Sequence, residues 1–281
     1  MRFDLHSISQ AGGQINEDGL GHRAHAAWLL DGATSISGRR LADETDASWF
    51  VRQVCEALSS AHPSAELRET LAAAVGRAQS LGTQLWADWG SGVDTPSASF
   101  AAAQLDANRL RLFNLGDCRI LYQLDQQPMQ SFGSCAVAEL DAQLLQRYTE
   151  LRQTAPTSTH RDLWQQLVPL IRANRRRMNR PDGYWVLSPD ASSLAQLQEY
   201  VLSFDLEAHV VLATDGLYRW VDTYLIGTEQ EFFSRAFEPG GLEQLLLQVR
   251  EAERIDAEAK RFPRVKLKDD ASAVAFHCRT S

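Results

Sequence analysis

The chain opens with alternation: Phe3, Leu5 and Ser7 interleave with Arg2, Asp4 and His6, a period of two that predicts a strand over 2–9. Gly12-Gly13 ends it. The apolar run 26–30 then empties into Asp31-Gly32, as a buried strand does at a turn. The period changes next. Ala47, Phe50, Val51, Val54, Cys55 and Leu58 fall on one helical face, and Leu67, Leu71, Ala74, Ala78, Leu81 and Leu85 on another. Strands are predicted again over 97–105 and 110–115, around an Asp106-Ala107-Asn108 turn, and over 120–124. Residues 136–183 differ in character: they are rich in Gln and Arg, with helical spacing at Leu140, Leu144 and Leu151 and at Leu163, Leu167, Leu170 and Ile171. Strands follow over 184–187, 200–204 and 210–213, then a helix over about 242–258 and a last strand over 272–278. Strands gathered at both ends, with two helices between the early ones, predict an α+β layered fold. One domain, 1–281, with a helical insert at about 136–183, is the expected organisation.

Composition narrows the function classes. A hydrophobic fraction of 44% with 9 prolines excludes a mostly disordered chain. With 36 acidic against 28 basic side chains, the net charge is −8, which argues against broad nucleic-acid binding. The longest stretch free of charged residues, 126–138, has 13 residues and contains Gln, Ser and Pro, too short and too polar for a bilayer span of about 20 apolar residues. Residues 1–20 hold no basic leader followed by an apolar run, which argues against secretion. Cys55, Cys118, Cys135 and Cys278 are scattered, with no Cys-x-x-Cys pair, and read as free, mostly buried thiols. A cytoplasmic location is therefore expected, and a monomer, since no apolar stripe demands a dimer. Trp28 and Trp185 are core candidates; Trp86, Trp89 and Trp220 lie near element ends and are candidates for surfaces.

The informative residues are acidic and sit where strands end. They are Glu17-Asp18 in Asn-Glu-Asp-Gly, Asp31 in Leu-Asp-Gly-Ala, Asp117 in Leu-Gly-Asp-Cys-Arg, Asp215 in Ala-Thr-Asp-Gly-Leu, and Asp269-Asp270 in Lys-Asp-Asp-Ala-Ser. Each Asp-Gly alone is more often a turn than a ligand. Five such sites in order, each beside a strand-like run, place carboxylates in a shared cleft. There they repel one another unless protonated or held by cations. An oxygen-only set selects a hard ion, Mg²⁺ or Mn²⁺, and a pair of such ions is a known means of activating water toward a phosphoryl group.

These motifs resemble, in order and over residues 16 to 272, those of the metal-dependent protein phosphatases of type 2C. The matching stretches are Asn16-Glu17-Asp18, Asp31-Gly32, Gly116-Asp117-Cys118-Arg119, Ala213-Thr214-Asp215-Gly216-Leu217 and Lys268-Asp269-Asp270-Ala271-Ser272. The resemblance implies two packed, mainly antiparallel sheets flanked by helices, with two Mn²⁺ or Mg²⁺ ions at one end. By the same resemblance Asp31 bridges both ions and the Gly32 carbonyl completes one. Asp215 and Asp269 bind the first, Glu17 and Asp18 hold the second and its waters, and Asp117 shares a third, weaker site with Asp215. Asp31, Asp215 and Asp269 would position the attacking water. The implied reaction is hydrolysis of phosphoserine and phosphothreonine in a phosphoprotein substrate, and residues 136–183 would be the family's variable flap.

Three positions depart from the family pattern. Asp270 stands where Asn is usual. Gly13 stands where an Arg commonly grips substrate phosphate, which makes Arg39 and Arg40 the candidates for that role; solvated surface charge is the competing reading. Ala33 replaces a His that sometimes follows the Asp-Gly. Arg172, Arg175, Arg176, Arg177 and Arg180 form a basic cluster, either a solvated helix face or a recognition surface for an acidic or phosphorylated partner. The alternatives to a protein phosphatase are a non-catalytic binding module with this fold and a phosphatase for small phosphorylated metabolites.

Overall fold

The computed structural model describes residues 2–33, 40–41, 44–85, 95–133 and 136–280. Two antiparallel sheets face one another. The first runs β1 (Arg2–Gln10), β12 (Ala271–Arg279), β11 (Glu207–Ala213), β8 (Arg119–Leu124) and β9 (Gln130–Phe132). The second runs β10 (Gln198–Ser203), β7 (Arg109–Leu115), β6 (Ser97–Asp106), β3 (Ala26–Ala33) and β2 (Gly19–Arg23). A two-stranded ribbon of β4 (Arg40–Leu41) and β5 (Glu44–Thr45) stands apart.

Side-chain parity sorts the core into layers. Ala27 and Leu29 of β3 meet Ile120, Val210, Leu212, Val274 and Phe276 between the sheets. Trp28 and Leu30, on the other face, pack under Phe50, Val54 and Leu71 of α1 (Asp46–Ser60) and α2 (Leu67–Leu85). The outer face of the first sheet is covered by α5 (Asp215–Asp222), α6 (Glu229–Ala236) and α7 (Gly241–Ile255). The result is a helix–sheet–sheet–helix sandwich, the expected α+β class.

Particular expectations are corrected. Residues 184–187 form no strand but two isolated bridges: Tyr184 pairs with Met178, and Leu187 exchanges hydrogen bonds of 2.8 and 2.9 Å with Ala98; Pro189, two residues on, cannot donate to a ladder. Trp220 is not at a surface but 1% exposed in the layer under α5 to α7. Cys118 and Cys278 are free and buried and Cys55 partly so; Cys135, Trp86 and Trp89 lie outside the described residues. No helix among the described residues is long and apolar enough to cross a membrane.

Residues 136–183 contain two helices, α3 (Ala136–Thr154) and α4 (His160–Arg175), packed on each other through Leu144, Tyr148, Leu151, Leu163 and Leu167. This small core closes against Ala259, Val265 and Leu267 and lies outside the space between the sheets. Thr159 caps α4, its hydroxyl accepting from the Asp162 amide at 3.2 Å. The Arg cluster is not all solvated surface. Arg175 is buried and donates to the carbonyls of Ala33 at 3.0 Å and Thr95 at 3.4 Å, tying the end of α4 to the end of β3.

Candidate metal centre

Register gathers the motif carboxylates at one end of the sandwich. Ala213, the last residue of β11, pairs with Arg119 at the start of β8 and with Ala273 near the start of β12. The turns before β8 and β12 and after β11 therefore converge, bringing Asp117, Asp215 and Asp269 together. Asp31 shares strand parity with Ala27 and Leu29, so it points into the gap between the sheets where the apolar filling stops. Close backbone approach completes the cleft. A Cβ on Gly32 would lie 2.3 Å from the Glu17 carbonyl oxygen, and one on Gly216 would lie 1.9 Å from that of Asp270. Only glycine lets β3 and the start of α5 come this near.

Each carboxylate has identifiable supports. Thr45, the cap of α1, donates its hydroxyl to Glu17 Oε1, and Glu17 is 5% exposed. Thr214 leaves its own helix uncapped and donates to Asp18 Oδ2 at 3.2 Å. Ser99 donates to Asp117 Oδ1 and accepts from the Asp117 amide at 3.2 Å. Asp269 takes Arg219 Nη2 on one oxygen at 2.6 Å and Lys266 Nζ on the other at 2.7 Å. Asp270 is a strut: Oδ1 accepts from the Gly12 amide and Oδ2 from the Glu17 amide, both at 2.7 Å. An Asn there offers a single acceptor oxygen for these two donors, which gives the departure at this position a physical reason.

The electrostatics follow from crowding. Burial, with repulsion from Asp270, Asp269 and Asp215, pushes the Asp18 carboxyl up to about 8. Burial and the charges of Asp215, Asp18, Asp117 and Asp269 hold Asp31 well above the usual carboxylate range. Asp117 is raised by burial and by Asp215. Asp269 goes the other way: burial opposes its charge, but Lys266 and Arg219 outweigh burial and hold it below the ordinary value. The donor chemistry fits a hard divalent cation, and one observation carries that fit. Asp18 Oδ1 is buried with no hydrogen-bond partner, an oxygen that a cation or a proton must satisfy.

All the carboxylates expected at the centre lie in this end of the molecule. Arg39 is outside the described residues, and only the backbone of Arg40 is described. Gly13, Glu17, Lys266, Lys268 and Asp269 line one cavity of about 300 Å³. Sequence reasoning missed three contributors. Lys266 lies three residues before Asp269, a local signal that was available. Arg219 follows Asp215 by one helical turn, also readable. Asp141 of α3, on an exposed position of the helix, is raised by partial loss of water and by the charges of Asp117 and Asp215; it comes from a helix distant in sequence from the motifs and carries no local signal. At the far end of β11 and β12, Glu207, His209 and His277 form the one compact three-ligand group among the described residues, with Glu207 already paired to Arg279 at 2.9 Å.

The chain is thus a four-layer helix–sheet–sheet–helix sandwich with oxygen donors crowded at one end. Residues 9–254 match the family Protein phosphatase 2C, and the chain belongs to that family. Similar solved structures include PppA, a regulatory component of the T6SS in Pseudomonas aeruginosa (14% identity, TM-score 0.60, 98% of this chain and 97% of that one). Stp1 from Staphylococcus aureus is similar at 14% identity and TM-score 0.58, covering 99% and 96%. The catalytic domain of PstP, solved with 2 manganese ions, is similar at 16% identity and TM-score 0.54, covering 98% and 97%. No curated protein matches the chain in sequence.

Two outcomes are expected. Asp270→Asn leaves one of the two backbone donors unpaired and lowers the unfolding free energy by about 1–3 kcal/mol, read by urea denaturation. The second concerns pH in chelator. Asp18 keeps its proton in the folded state up to about 8, whereas an unfolded Asp ionises near 4. The folded state then binds more protons, so stability falls as pH rises across that interval. His160 and His209, lowered chiefly by burial, act oppositely only below about 6.5. Thermal unfolding in EDTA should therefore show a falling Tm from about pH 6.5 to 8, and Asp18→Asn should make the fall shallower, the part that remains coming from Asp31, Asp117 and Asp141, whose carboxyls are also raised.

Proposed function

We propose that this chain hydrolyses phosphoserine and phosphothreonine monoesters in proteins, using divalent cations held at the carboxylate centre. The observation that carries the reading is the unpartnered, buried Asp18 Oδ1 inside a cluster whose members raise one another's proton affinity. Family membership supports it, as does the presence of manganese in PstP. Asp31, the Gly32 carbonyl, Asp215 and Asp269 would hold one ion, Glu17 and Asp18 would serve a second, and Asp117 with Asp215 a third. When bound, such ions supply Lewis acidity toward water and phosphoryl oxygens.

The chain's own residues do the positioning. Thr214 orients Asp18, Ser99 orients Asp117, and Asp270 fixes the main chain at Gly12 and Glu17. Arg219 keeps Asp269 ionised, while Lys266, 42% exposed, has solvent to swing into when Asp269 takes another partner. The helical pair α3–α4 sends Asp141 toward the centre, which favours its assignment as a flap of the same domain. A non-catalytic binding role is the weaker reading, since a site without catalysis has little reason to keep these mutually repelling carboxylates.

EDTA should abolish turnover of p-nitrophenyl phosphate and Mn²⁺ should restore it; full activity in a chelated sample would sink the mechanism. Asp31→Asn should lose Mn²⁺ binding by calorimetry together with turnover, with far-UV circular dichroism unchanged. For the phosphate contact, the double variant Arg39→Ala, Arg40→Ala should raise KM for a phosphopeptide about tenfold or more at similar kcat, as loss of a charge-assisted contact implies. A Cβ on Gly13 meets nothing within 4 Å, so adding Gly13→Arg to that variant should recover KM.

A further inference from the structure

Beside the carboxylate cleft runs a second, larger depression of about 690 Å³. Its walls are the first turns of α4, with Arg161 and Trp164, and the end of α7, with Arg254. Its floor is Ala257, Val265 and Leu267. Gly12, Lys266 and Lys268 close the end toward the cleft, and both lysines also line the cleft cavity, so the two depressions adjoin there.

The charge of this groove is the reverse of the chain's. On a protein of net charge −8, the rim carries Arg161, Arg254, Lys266 and Lys268. Its single carboxylate is Glu253, whose side chain is 1% exposed and whose two oxygens are taken by Arg250 at 3.1 and 2.9 Å. Arg254 is paired with Glu251 and Lys266 with Asp269. Arg161 and Lys268 are both exposed, and neither has an ion pair among the described residues. Trp164 stands 41% exposed on the same wall. An exposed Trp flanked by cations, over an apolar floor, is the composition of a contact surface for polypeptide. Its cations select carboxylates by complementarity.

We propose that this groove binds the polypeptide flanking the phosphorylated residue and selects substrates with acidic residues there. The proposal rests on the phosphatase reading and names its substrate class. A phosphoester seated at the carboxylate centre has its chain leaving past Lys266 and Lys268. Acidic side chains meet Lys268 and Arg161, and an apolar one lies on Leu267 against Trp164. Basic flanks meet the same cations and are repelled. Continuous polyanions such as nucleic acid are disfavoured, because the groove opens onto the carboxylates of Asp269 and Asp270.

The test uses the full chain and fluorescein-labelled phosphothreonine peptides of one core sequence. The flanks carry three Glu, three Ala or three Lys, on either side of the phosphoresidue. With Mn²⁺, kcat/KM should favour the Glu-flanked peptide over the Lys-flanked one by at least about tenfold on one side, and the ratio should shrink as salt rises. In EDTA, where nothing turns over, fluorescence anisotropy should show the same order of affinity. Arg161→Glu with Lys268→Glu should abolish or invert both ratios; Arg161 lies in the first turn of α4, where an acidic residue suits the helix dipole, so folding is retained. Trp164→Ala should weaken both peptides and keep the ratio. Equal handling of Glu and Lys flanks, or a ratio untouched by charge reversal, overturns the groove while p-nitrophenyl phosphate hydrolysis still stands. If no phosphoester is hydrolysed, the phosphatase reading falls, and the anisotropy ratio alone decides the groove.

Discussion

Like charges 4 Å apart near a protein surface repel by roughly 4 kcal/mol unless a proton or a cation intervenes. One end of this molecule places Asp18, Asp31, Asp117, Asp215 and Asp269 within one another's field. Much of the surrounding structure can be understood as the means of tolerating that crowding. Crowding and burial raise the proton affinity of Asp18 and Asp31. Protein cations settle on Asp269, where Arg219 and Lys266 each take an oxygen. What remains unsatisfied is the capacity to hold a divalent ion.

Position within the crowd is set by backbone more than by side chains. β3 and the Glu17 loop touch because Gly32 has no Cβ, α5 begins against the Asp270 carbonyl because Gly216 has none, and Asp270 grips the main chain of both Gly12 and Glu17. Donors on such short tethers lose little conformational freedom when a ligand arrives, which is the thermodynamic sense of preorganisation.

Legibility in the sequence followed the length and period of each signal. α1 and α2 repeat an apolar face over 15 and 19 residues and were readable within about a turn. α5 and α6 have eight residues each, too short for a period to declare itself, and went unread. β2 reads Gly-Leu-Gly-His-Arg and owes its place to pairing with β3, so its own composition says little. The carboxylates stood out because each lies beside a strand-like run. Asp141 did not, because its neighbourhood to Asp117 exists only once the helical pair has folded down. Arg175 read as one of several surface arginines, since nothing local distinguishes a guanidinium that will cap a distant carbonyl.

That arginine makes the inserted helices something other than an interchangeable ornament. The Ala33 carbonyl it caps lies two residues beyond Asp31, at the end of β3. Removing α3 and α4 would strip a donor from the peptide backbone beside Asp31 as well as altering what the helices present outward. The end of α4 and the end of β3 thus hold or loosen as one unit.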